Sequence, residues 1–519
     1  MIIDARSVTS GTTIETELCI IGAGAAGITL ARECIDAPFR VVLLESGGLD
    51  FDSETQDLYA GQSVGDPFQD PTASRLRYLG GTTNHWGGWC LPLDAIDFEP
   101  RGDEFPHHGW PFSRTQLDPC YARAQQVCQL GPYDYRPSRW GVPPDPVPPP
   151  FAGPDFDVKI MQENALRFGP VYAPELRRAP RVTVYLHANA VRLESDGAEV
   201  RTLAVKTLSG NTLTVQARFY VPAAGGIENA RLLLVSGQEE GKGLGNTHDL
   251  VGRFFMTHLA FSCGTIVPAD PHLNFDFATN DPYIPGKYRV HRILGLSSEA
   301  MRRRHLPNLI FGWAYKFAPV REAIGALGRV AHGEGPGGST LSDLGEVVAN
   351  LDRLTDFLAR KTLFGEGVPI EALQLWCAGE QQPNRNSRVS LGTERDPLGM
   401  REVVIDWRVL PEDRRKIVAI LHLLATEVGH AGFGRSRVAW SDADTWPAEL
   451  VGNEHHMGTT RMHDDPSLGV VDANCRVHDL ANLYVAGSSV FPTGGAANPT
   501  LTIVALALRL ADHLKEKLA

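Results

Sequence analysis

The chain has 519 residues, long enough for two or three domains, and its 43% apolar and 21% charged residues are typical of a soluble globular protein. Its formal charge of −12 argues against a nucleic-acid partner, which needs a surplus of Lys and Arg to neutralise phosphates. The eight cysteines form no C-x-x-C pair, which argues against a zinc or iron–sulfur site and predicts a reduced, cytoplasmic protein. The start of the sequence lacks the pattern of a signal peptide, and no apolar run is long enough for a membrane span. We therefore expect no membrane partner.

The first patterned segment predicts a strand, a turn and a helix. Thr16 to Ile21 is an apolar run, the glycine turn is Gly22-Ala23-Gly24-Ala25-Ala26-Gly27, and helical sequence follows. A G-x-G-x-x-G turn in this context is typical of dinucleotide sites, because its glycines let the backbone approach a pyrophosphate at the helix N-terminus. Glu45 ends the next apolar run, where an acidic side chain can bind ribose hydroxyls. The motif predicts a dinucleotide site but does not separate NAD from FAD.

Later segments predict a nucleotide-binding domain assembled from separated pieces. Residues 141–150 are rich in proline, which predicts an extended connector. The glycine-rich stretch 332–339 is interpreted either as a lid or as a mobile surface loop. Further strand–glycine turns occur near residues 221 and 485, and a terminal helix begins at Thr500.

We therefore predict an α/β (α+β) fold with two domains. The first is a Rossmann-like domain assembled from the discontinuous segments 1–90, 181–265 and 451–519. The second is a substrate-binding domain with a β-sheet and covering helices, formed by residues 91–180 and 266–450.

Several motifs taken together resemble the GMC (glucose–methanol–choline) oxidoreductases. Besides the glycine turn, they are residues 77–88, 109–113, 250–258, 384–390, 455–462 and 494–502. The pair His85-Trp86 after the double glycine most resembles the pyranose oxidase branch and its bacterial sugar-oxidising relatives. The resemblance implies that the first domain binds FAD and that an alcohol is oxidised by hydride transfer to flavin N5.

The resemblance also implies a catalytic pair in the C-terminal part of the chain. In the family, the histidine three positions before Gly-Thr accepts the alcohol proton, and here it is His455. Its partner before the last helix is Asn498, which can donate a hydrogen bond to a developing alkoxide without competing for the proton. The adjacent His456 is the alternative base. A metal site formed by His455, His456 and His463 would lack a carboxylate or thiolate at ligand spacing, so we predict no metal.

The same resemblance implies where the cofactor lies. Residues 22–45 hold the adenine-dinucleotide half, residues 80–88 approach the isoalloxazine ring, and the positive end of the terminal helix faces the flavin. The predicted cofactor contacts are Gly22, Gly24, Ala25, Ala26, Gly27, Glu45, Ser46, Arg77, Gly80, Gly81, Thr82, Asn84, His85, Trp86, Gly87, Ala190, Val191, Ala224, Gly225, Gly487, Asn498, Pro499 and Thr500. His85 has three interpretations: a covalent bond to the flavin, binding without that bond, or a hydrogen bond near the ring edge.

Three neighbouring features complete the predicted site. Trp86 and Trp89 are interpreted either as flat faces for sugar C–H groups or as core residues. His258 is expected to approach the site, although Leu259 replaces the proline that usually follows it in the family. Cys90 is interpreted as a buried thiol.

The predicted function is FAD-dependent oxidation of a hydroxyl group of a sugar, glycoside or aminosugar-type natural product, with O2 or another electron acceptor. The first alternative is a non-sugar alcohol, aliphatic, aromatic or sterol-like. The second is a dehydrogenase with a non-oxygen acceptor. The third, a flavin-binding protein without chemistry, conflicts with the presence of both His455 and Asn498. The oligomeric state does not follow from the sequence.

Overall fold

The computed structural model describes residues 1–140, 153–237, 242–272, 287–318, 321–324, 326–327, 340–364, 368–447 and 449–519. The predicted connector 141–150 and the predicted lid 332–339 lie outside the described residues. The described part is a mixed α/β structure with several β-sheets, which confirms the predicted fold class.

In chain order the described strands are β1 (Ile2–Asp4), β2 (Thr12–Ile21), β3 (Val41–Leu44), β4 (Gly61–Gly65), β5 (Trp89–Cys90), β6 (Phe156–Glu163), β7 (Val182–Leu186), β8 (Asn189–Ser195), β9 (Val200–Lys206), β10 (Thr212–Pro222), β11 (Leu259–Pro268), β12 (Arg289–Leu296), β13 (Leu309–Phe317), β14 (Ile370–Gly379), β15 (Arg388–Arg395), β16 (Arg401–Trp407) and β17 (Gly434–Val438). The described helices are α1 (Ala25–Glu33), α2 (Ser53–Gln56), α3 (Arg114–Val127), α4 (Phe168–Arg178), α5 (Gly225–Val235), α6 (Ser298–Arg304), α7 (Thr340–Ala349), α8 (Leu351–Phe364), α9 (Pro411–His430) and α10 (Thr500–Leu518).

The first sheet has its strands in the order β1-β7-β3-β2-β10-β9-β8 among the described residues. Strands β1, β7, β3, β2 and β10 are mutually parallel. The end of β2, Leu18 to Ile21, is buried on both faces, as its unbroken apolar sequence favours. Since β2, β3 and β10 are parallel, their carboxyl ends lie at one edge of the sheet. In α/β sheets, ligands bind at this edge.

The second sheet has the order β17-β11-β14-β13-β12-β6-β5 within the described part of the chain. One face is covered by α9, whose Ile417 and Leu421 share a buried cluster with Trp313 of β13. Met161 and Ile310 belong instead to the buried cluster of the first sheet. This second sheet therefore packs on the first. A smaller sheet has the order β15-β16-β4.

The last helix, α10, packs against helices from the N-terminal part of the chain. Its side chains Leu501, Val504 and Leu508 are buried, and the helix packs on α1 and α3. Of the helices in the described ranges, none has both the length and the apolar character that a membrane crossing requires. All eight cysteines are buried and unpaired, including Cys90.

Candidate active site

A cavity of about 780 Å³ opens at the carboxyl edge of the first sheet, a size typical of small-molecule and cofactor sites. Its wall comes from both ends of the chain. Gly22 to Ala26 form one part, here called the glycine end, and His455 with Asn498 form another, here called the histidine end. The cavity therefore brings together the two groups of residues that the sequence motifs single out.

At the glycine end the turn between β2 and α1 is closely packed. Gly22 has a φ of +105°, and a Cβ atom there would lie 2.8 Å from the Ala223 carbonyl oxygen. A Cβ atom on Gly27 would lie 1.8 Å from the Gly22 carbonyl oxygen, whereas one on Gly24 would meet nothing within 4 Å. Gly24 precedes α1 without a side-chain cap, so the N–H groups of the first helical turn remain available to an anion in the cavity.

Glu45 lies on the cavity wall and fastens this turn. Its carboxylate accepts hydrogen bonds from the backbone N–H of Ala23 at 3.0 Å and of Gly47 at 2.9 Å. Burial raises the pKa of the Glu45 carboxyl, and these two N–H groups oppose that rise. Glu45, the acid predicted to contact a ribose, therefore also holds the glycine turn next to the segment at Gly47.

A buried ion network, not predicted apart from Arg77, forms the wall beside the glycine end. Arg75 lies 2.7 Å and Arg77 3.7 Å from the carboxylate of Glu228, which also contacts Arg231. Burial would raise the pKa of Glu228, but Arg231, Arg75 and Arg77 lower it to about 2. The Nε and Nη1 atoms of the buried Arg77 have no hydrogen-bond partner in the described structure. These donors make no hydrogen bond, although Nη1 is the atom that lies 3.7 Å from Glu228, and such cationic donors fit an anionic cofactor such as a dinucleotide.

Most of the segment 80–88 lines the cavity wall. Gly80 donates its backbone N–H to the Ala23 carbonyl at 2.8 Å, which ties this segment to the glycine turn. His85 is an exposed side chain on the cavity wall. Trp86 also lines the wall and donates its indole N–H to the Leu166 carbonyl at 2.7 Å. Trp89 lies outside the wall, where its ring packs 4.7 Å from that of His291.

At the histidine end, His455 contacts a second histidine from a distant segment. The Nδ1 atoms of His455 and His258 are 3.0 Å apart, and the two rings are nearly perpendicular. Burial, with further contributions from His258 and His456, holds the pKa of His455 well below its usual value. Burial also lowers the pKa of His258 to about 4. Both rings are therefore neutral at pH 7, and a neutral imidazole can accept a proton.

His456 has different surroundings from its neighbour. Its ring lies 5.7 Å from that of Phe68 and 5.8 Å from that of Phe255. Burial lowers the pKa of His456 to about 3, and its Nε2 has no hydrogen-bond partner in the described structure. Its ring faces an aromatic cluster, which makes it a poorer candidate for the base than His455.

The third histidine of the metal alternative, His463, is half-buried, and its Nδ1 accepts the backbone N–H of Asp465 at 2.9 Å. Across the described ranges, no group of three or more His, Cys, Asp or Glu side chains is arranged to hold a metal ion.

Asn498 lies on the cavity wall directly before α10. Pro499 caps this helix without a side-chain bond, and Thr500 begins it. The unpaired N–H groups of the first turn therefore place partial positive charge at the histidine end.

Most of the predicted site residues lie on the cavity wall, and four do not. Those on the wall are Gly22, Gly24, Ala25, Ala26, Glu45, Ser46, Arg77, Gly81, Thr82, His85, Trp86, Gly87, Ala190, Ala224, Gly225, His455, Gly487, Asn498, Pro499 and Thr500. Gly27 packs against the Gly22 carbonyl, and Gly80 donates its N–H to the Ala23 carbonyl. The side-chain amide of Asn84 donates to the Leu79 carbonyl. Val191 points into a small core with Leu58, because successive side chains of β8 face opposite ways.

The wall also contains residues that the motifs do not reveal. Among them are Gln56, Tyr59, Arg75, Glu228, Met400 and Ser488. Only Glu228 has a local signal, since its position three residues before Arg231 on α5 predicts an ion pair. The others reach the cavity through contacts between distant segments.

Comparison with known proteins gives matches over nearly the whole chain. The family described as GMC oxidoreductase matches residues 383–507. The 6'''-hydroxyparomomycin C oxidase of Streptomyces lividus is 28% identical, over 96% of this chain and 92% of that protein. The 2-methyl-1,2-propanediol dehydrogenase of Mycolicibacterium austroafricanum is 24% identical, over 97% of this chain and 96% of that protein. The crystal structure of pyridoxine 4-oxidase from Mesorbium loti has a TM-score of 0.59 at 18% identity, over 96% of this chain and 98% of that one.

Proposed function

We propose that the chain acts as a GMC oxidoreductase, the alcohol-oxidising family of FAD enzymes that its residues 383–507 match, and that it oxidises a hydroxyl group of a sugar, glycoside or aminosugar to the carbonyl. The observation that carries the proposal is that one cavity is lined both by the glycine turn and by the His455–Asn498 pair. A nucleotide site and a proton acceptor on one wall are what such a reaction needs.

The glycine end of the cavity, at the edge of the first sheet, is where we expect the cofactor to bind. The parallel strands β3, β2 and β10 with α1 are interpreted as a Rossmann-like unit whose glycine turn holds the dinucleotide at the N-terminus of α1. Arg77, whose Nε and Nη1 make no hydrogen bond within the described structure, would donate to the cofactor's phosphate oxygens. The ring of FAD would then extend toward Trp86 and the start of α10. The two-domain division with its boundaries, and the cytoplasmic location, stay predictions.

The chemistry of the chain's own residues is a proton transfer. When bound, FAD supplies the acceptor for the hydride that leaves the carbinol carbon. The neutral ring of His455 takes the hydroxyl proton, so that the O–H bond breaks as an N–H bond forms. Asn498 donates an amide N–H to the oxygen as negative charge develops there. Burial of the ring, together with the neighbouring His258 and His456, keeps His455 unprotonated between turnovers.

The sugar class rests on the His85-Trp86 pair, on Asn498 and on the relative named for hydroxyparomomycin. The relative named for 2-methyl-1,2-propanediol favours a second candidate, the oxidation of a small non-sugar alcohol. A sugar site must pair several substrate hydroxyls, whereas a small-diol site need pair only two, so the two candidates differ in their response to deoxy analogues.

Anaerobic flavin reduction by a panel of substrates tests the proposal. The purified protein should be yellow, and a sugar, glycoside or aminosugar should bleach the flavin faster than 1,2-propanediols do. Replacing the reactive hydroxyl by hydrogen should abolish bleaching. Bleaching by small diols alone would favour the second candidate, and no bleaching by any alcohol would contradict the proposed activity. Admission of air to the reduced enzyme then separates an oxidase, which recolours at once, from a dehydrogenase.

We further propose that FAD is either tethered by His85 or held beside it, because His85 is exposed on the cavity wall. Acid precipitation decides between the two states: a covalent flavin stays with the protein pellet, and a non-covalent one remains in the supernatant. If the pellet is yellow, the variant His85→Ala should release its flavin. A pellet of H85A that stays yellow would exclude His85 as the attachment point.

A further inference from the structure

The two contacting histidines are held together by the backbone that carries them. Met256 and Met457 exchange backbone hydrogen bonds of 3.0 and 2.9 Å, and the hydroxyl of Thr257 lies within donating distance of both the carbonyl and the side-chain oxygen of Asn453. The same Asn453 side chain accepts the backbone N–H of His455 at 3.1 Å. These hydrogen bonds hold the two backbones next to each other, and the Nδ1 atoms of the two rings lie 3.0 Å apart.

A hydrogen bond between two Nδ1 atoms requires one donor and one acceptor, and the surroundings of His258 decide which is which. The other nitrogen of His258, Nε2, lies 3.4 Å from the carbonyl oxygen of Gly494, which can only accept. A neutral His258 that carries its proton on Nε2 has a bare Nδ1. His455 must then donate from its own Nδ1, which leaves the Nε2 of His455 without a proton.

We propose that His258 is a positioning residue that fixes the tautomer of His455, so that its Nε2 is the unprotonated atom that receives the substrate's hydroxyl proton. The inference rests on the proposed role of His455 as the base. In the step itself, the substrate O–H bond breaks and a bond forms between that proton and Nε2 of His455. The positive charge then lies on a ring whose Nδ1–H donates to Nδ1 of His258.

The partner of the base is a neutral ring here, and the buried acid that acts on His258, Glu380, is already engaged. Glu380 is fully buried, lies 2.9 Å from Nε2 of His108 and contacts Arg101 at 3.9 Å. The other titratable neighbours of His455 are His456, which burial keeps neutral, and Glu454, whose side chain is exposed on the cavity wall. A carboxylate in place of His258 would raise the pKa of His455 and hold it protonated. A neutral acceptor orients the ring and leaves it ready to take a proton.

The tautomer can be read directly in the wild-type holoenzyme. We would label the histidines with 15N, record ring-nitrogen NMR spectra at pH 7.5 with oxidised FAD bound, and assign the signals of interest by their loss in His455→Ala. The proposal expects the proton of His455 on Nδ1 and that of His258 on Nε2. A proton on Nε2 of His455 would overturn it, whatever the activity of any variant.

A matched pair of variants tests the consequence for the reaction. His258→Asn keeps an acceptor oxygen near the former Nδ1, whereas His258→Leu has nearly the same shape and no acceptor. We expect the limiting rate of flavin reduction to fall by about 10- to 100-fold in H258L, as for other partners that orient a reactive histidine, and to recover in part in H258N. The fall should be the same across the neutral plateau of the pH profile, because a tautomer ratio does not depend on pH. The substrate concentration that gives half of the limiting rate should change little.

Equal rates for wild type and H258L, or equal losses in H258N and H258L, would overturn the role of His258. These outcomes are distinct from a failure of the proposed function. If His455→Ala reduces its flavin as fast as wild type, the base itself is wrong. If only the His258 variants behave as wild type, the base stands and the positioning inference falls.

Discussion

At the glycine end of the cavity, Gly22, Ala23 and Gly24 are neighbours in the chain, whereas at the histidine end His258, His455 and Asn498 come from three distant segments. The glycine end is fastened by the hydrogen bond from the Ala23 N–H to Glu45 and presents N–H groups beside a cationic Arg77. At the histidine end His455 and Asn498 are half-buried, and the rings of His455 and the buried His258 are neutral. The two ends should therefore fail differently: changes at the first should release the cofactor or destabilise the fold, and changes at the second should slow the reaction with the cofactor retained.

The largest effect on rate should come from His455→Ala. Loss of a positioned general base typically slows a reaction by about 10²- to 10⁴-fold, and anaerobic stopped-flow reduction of the flavin would measure it. The flavin content should stay as in wild type. The matched control is His463→Ala, because His463 lies outside the cavity wall, and its rate should be unchanged. Loss of FAD from H455A would contradict the expectation that changes at the histidine end leave the cofactor bound.

Asn498→Ala should slow the same step by about 10²-fold, because a donor to the developing alkoxide is removed. The variant Asn498→His restores a donor and should recover part of the rate. N498A could instead raise only the substrate concentration that gives half of the limiting rate. Asn498 would then bind the substrate equally in the ground state and the transition state, and its proposed role would be wrong.

At the glycine end, Arg77→Gln should weaken FAD binding by about 10- to 100-fold, the loss typical of a hydrogen bond to a charged group. Glu228 keeps its contacts with Arg75 and Arg231, so the fold should survive. Titration of the apoprotein with FAD measures the effect, provided that the flavin is not covalent. The rate of flavin reduction in fully loaded R77Q should match wild type. A slower rate at full loading would show that the two ends are coupled.

The glycines themselves provide a contrast within one turn. Gly27→Ala places a methyl group against the Gly22 carbonyl and should lower the free energy of unfolding by about 1–3 kcal/mol. Gly24→Ala meets no atom within 4 Å and should fold normally, yet bind FAD more weakly because the new methyl faces the cavity. Thermal unfolding and flavin content of both variants, side by side, measure these outcomes. Equal unfolding temperatures for the two would contradict the packing argument.

The last prediction concerns pH and the stability that depends on His258, His455 and His456. The pKa values of His258, His455 and His456 are lowered in the folded protein, to about 4 for His258 and about 3 for His456, so these rings bind protons more readily when the chain is unfolded. Their contribution to stability is complete above about pH 6.5 and is lost as the pH falls below it. Each ring can remove up to about 1.4 kcal/mol per pH unit in that range. Denaturant unfolding at pH 7.5, 6.5 and 5.5 would measure the slope, and His456→Phe should reduce it. A flat profile between pH 6.5 and 5.5 would contradict the burial of neutral rings.

The glycine end could be predicted well because its chemistry lies in one short segment. The G-x-G-x-x-G spacing, the apolar run before it and the acid after it are enough to place Gly24 and Glu45 on the same wall. The prediction of Val191 as a cofactor contact illustrates the limit, because the face to which a strand residue points depends on a register that the run itself does not fix. The histidine end was located by family resemblance, and the resemblance left His456 as an alternative base.

The sequence by itself determined the class of the fold, the glycine turn with its helix, and the candidate pair His455 and Asn498, since each of these depends on a local pattern or motif. Only the tertiary structure decided that the ring of His456 faces Phe68 and Phe255, that Glu228 pairs with Arg75, and that His258 contacts His455. The physical reason is the same in each case. Partners far apart in the chain meet only when sheets and helices pack, and the burial that results sets which rings are neutral and which atoms remain free.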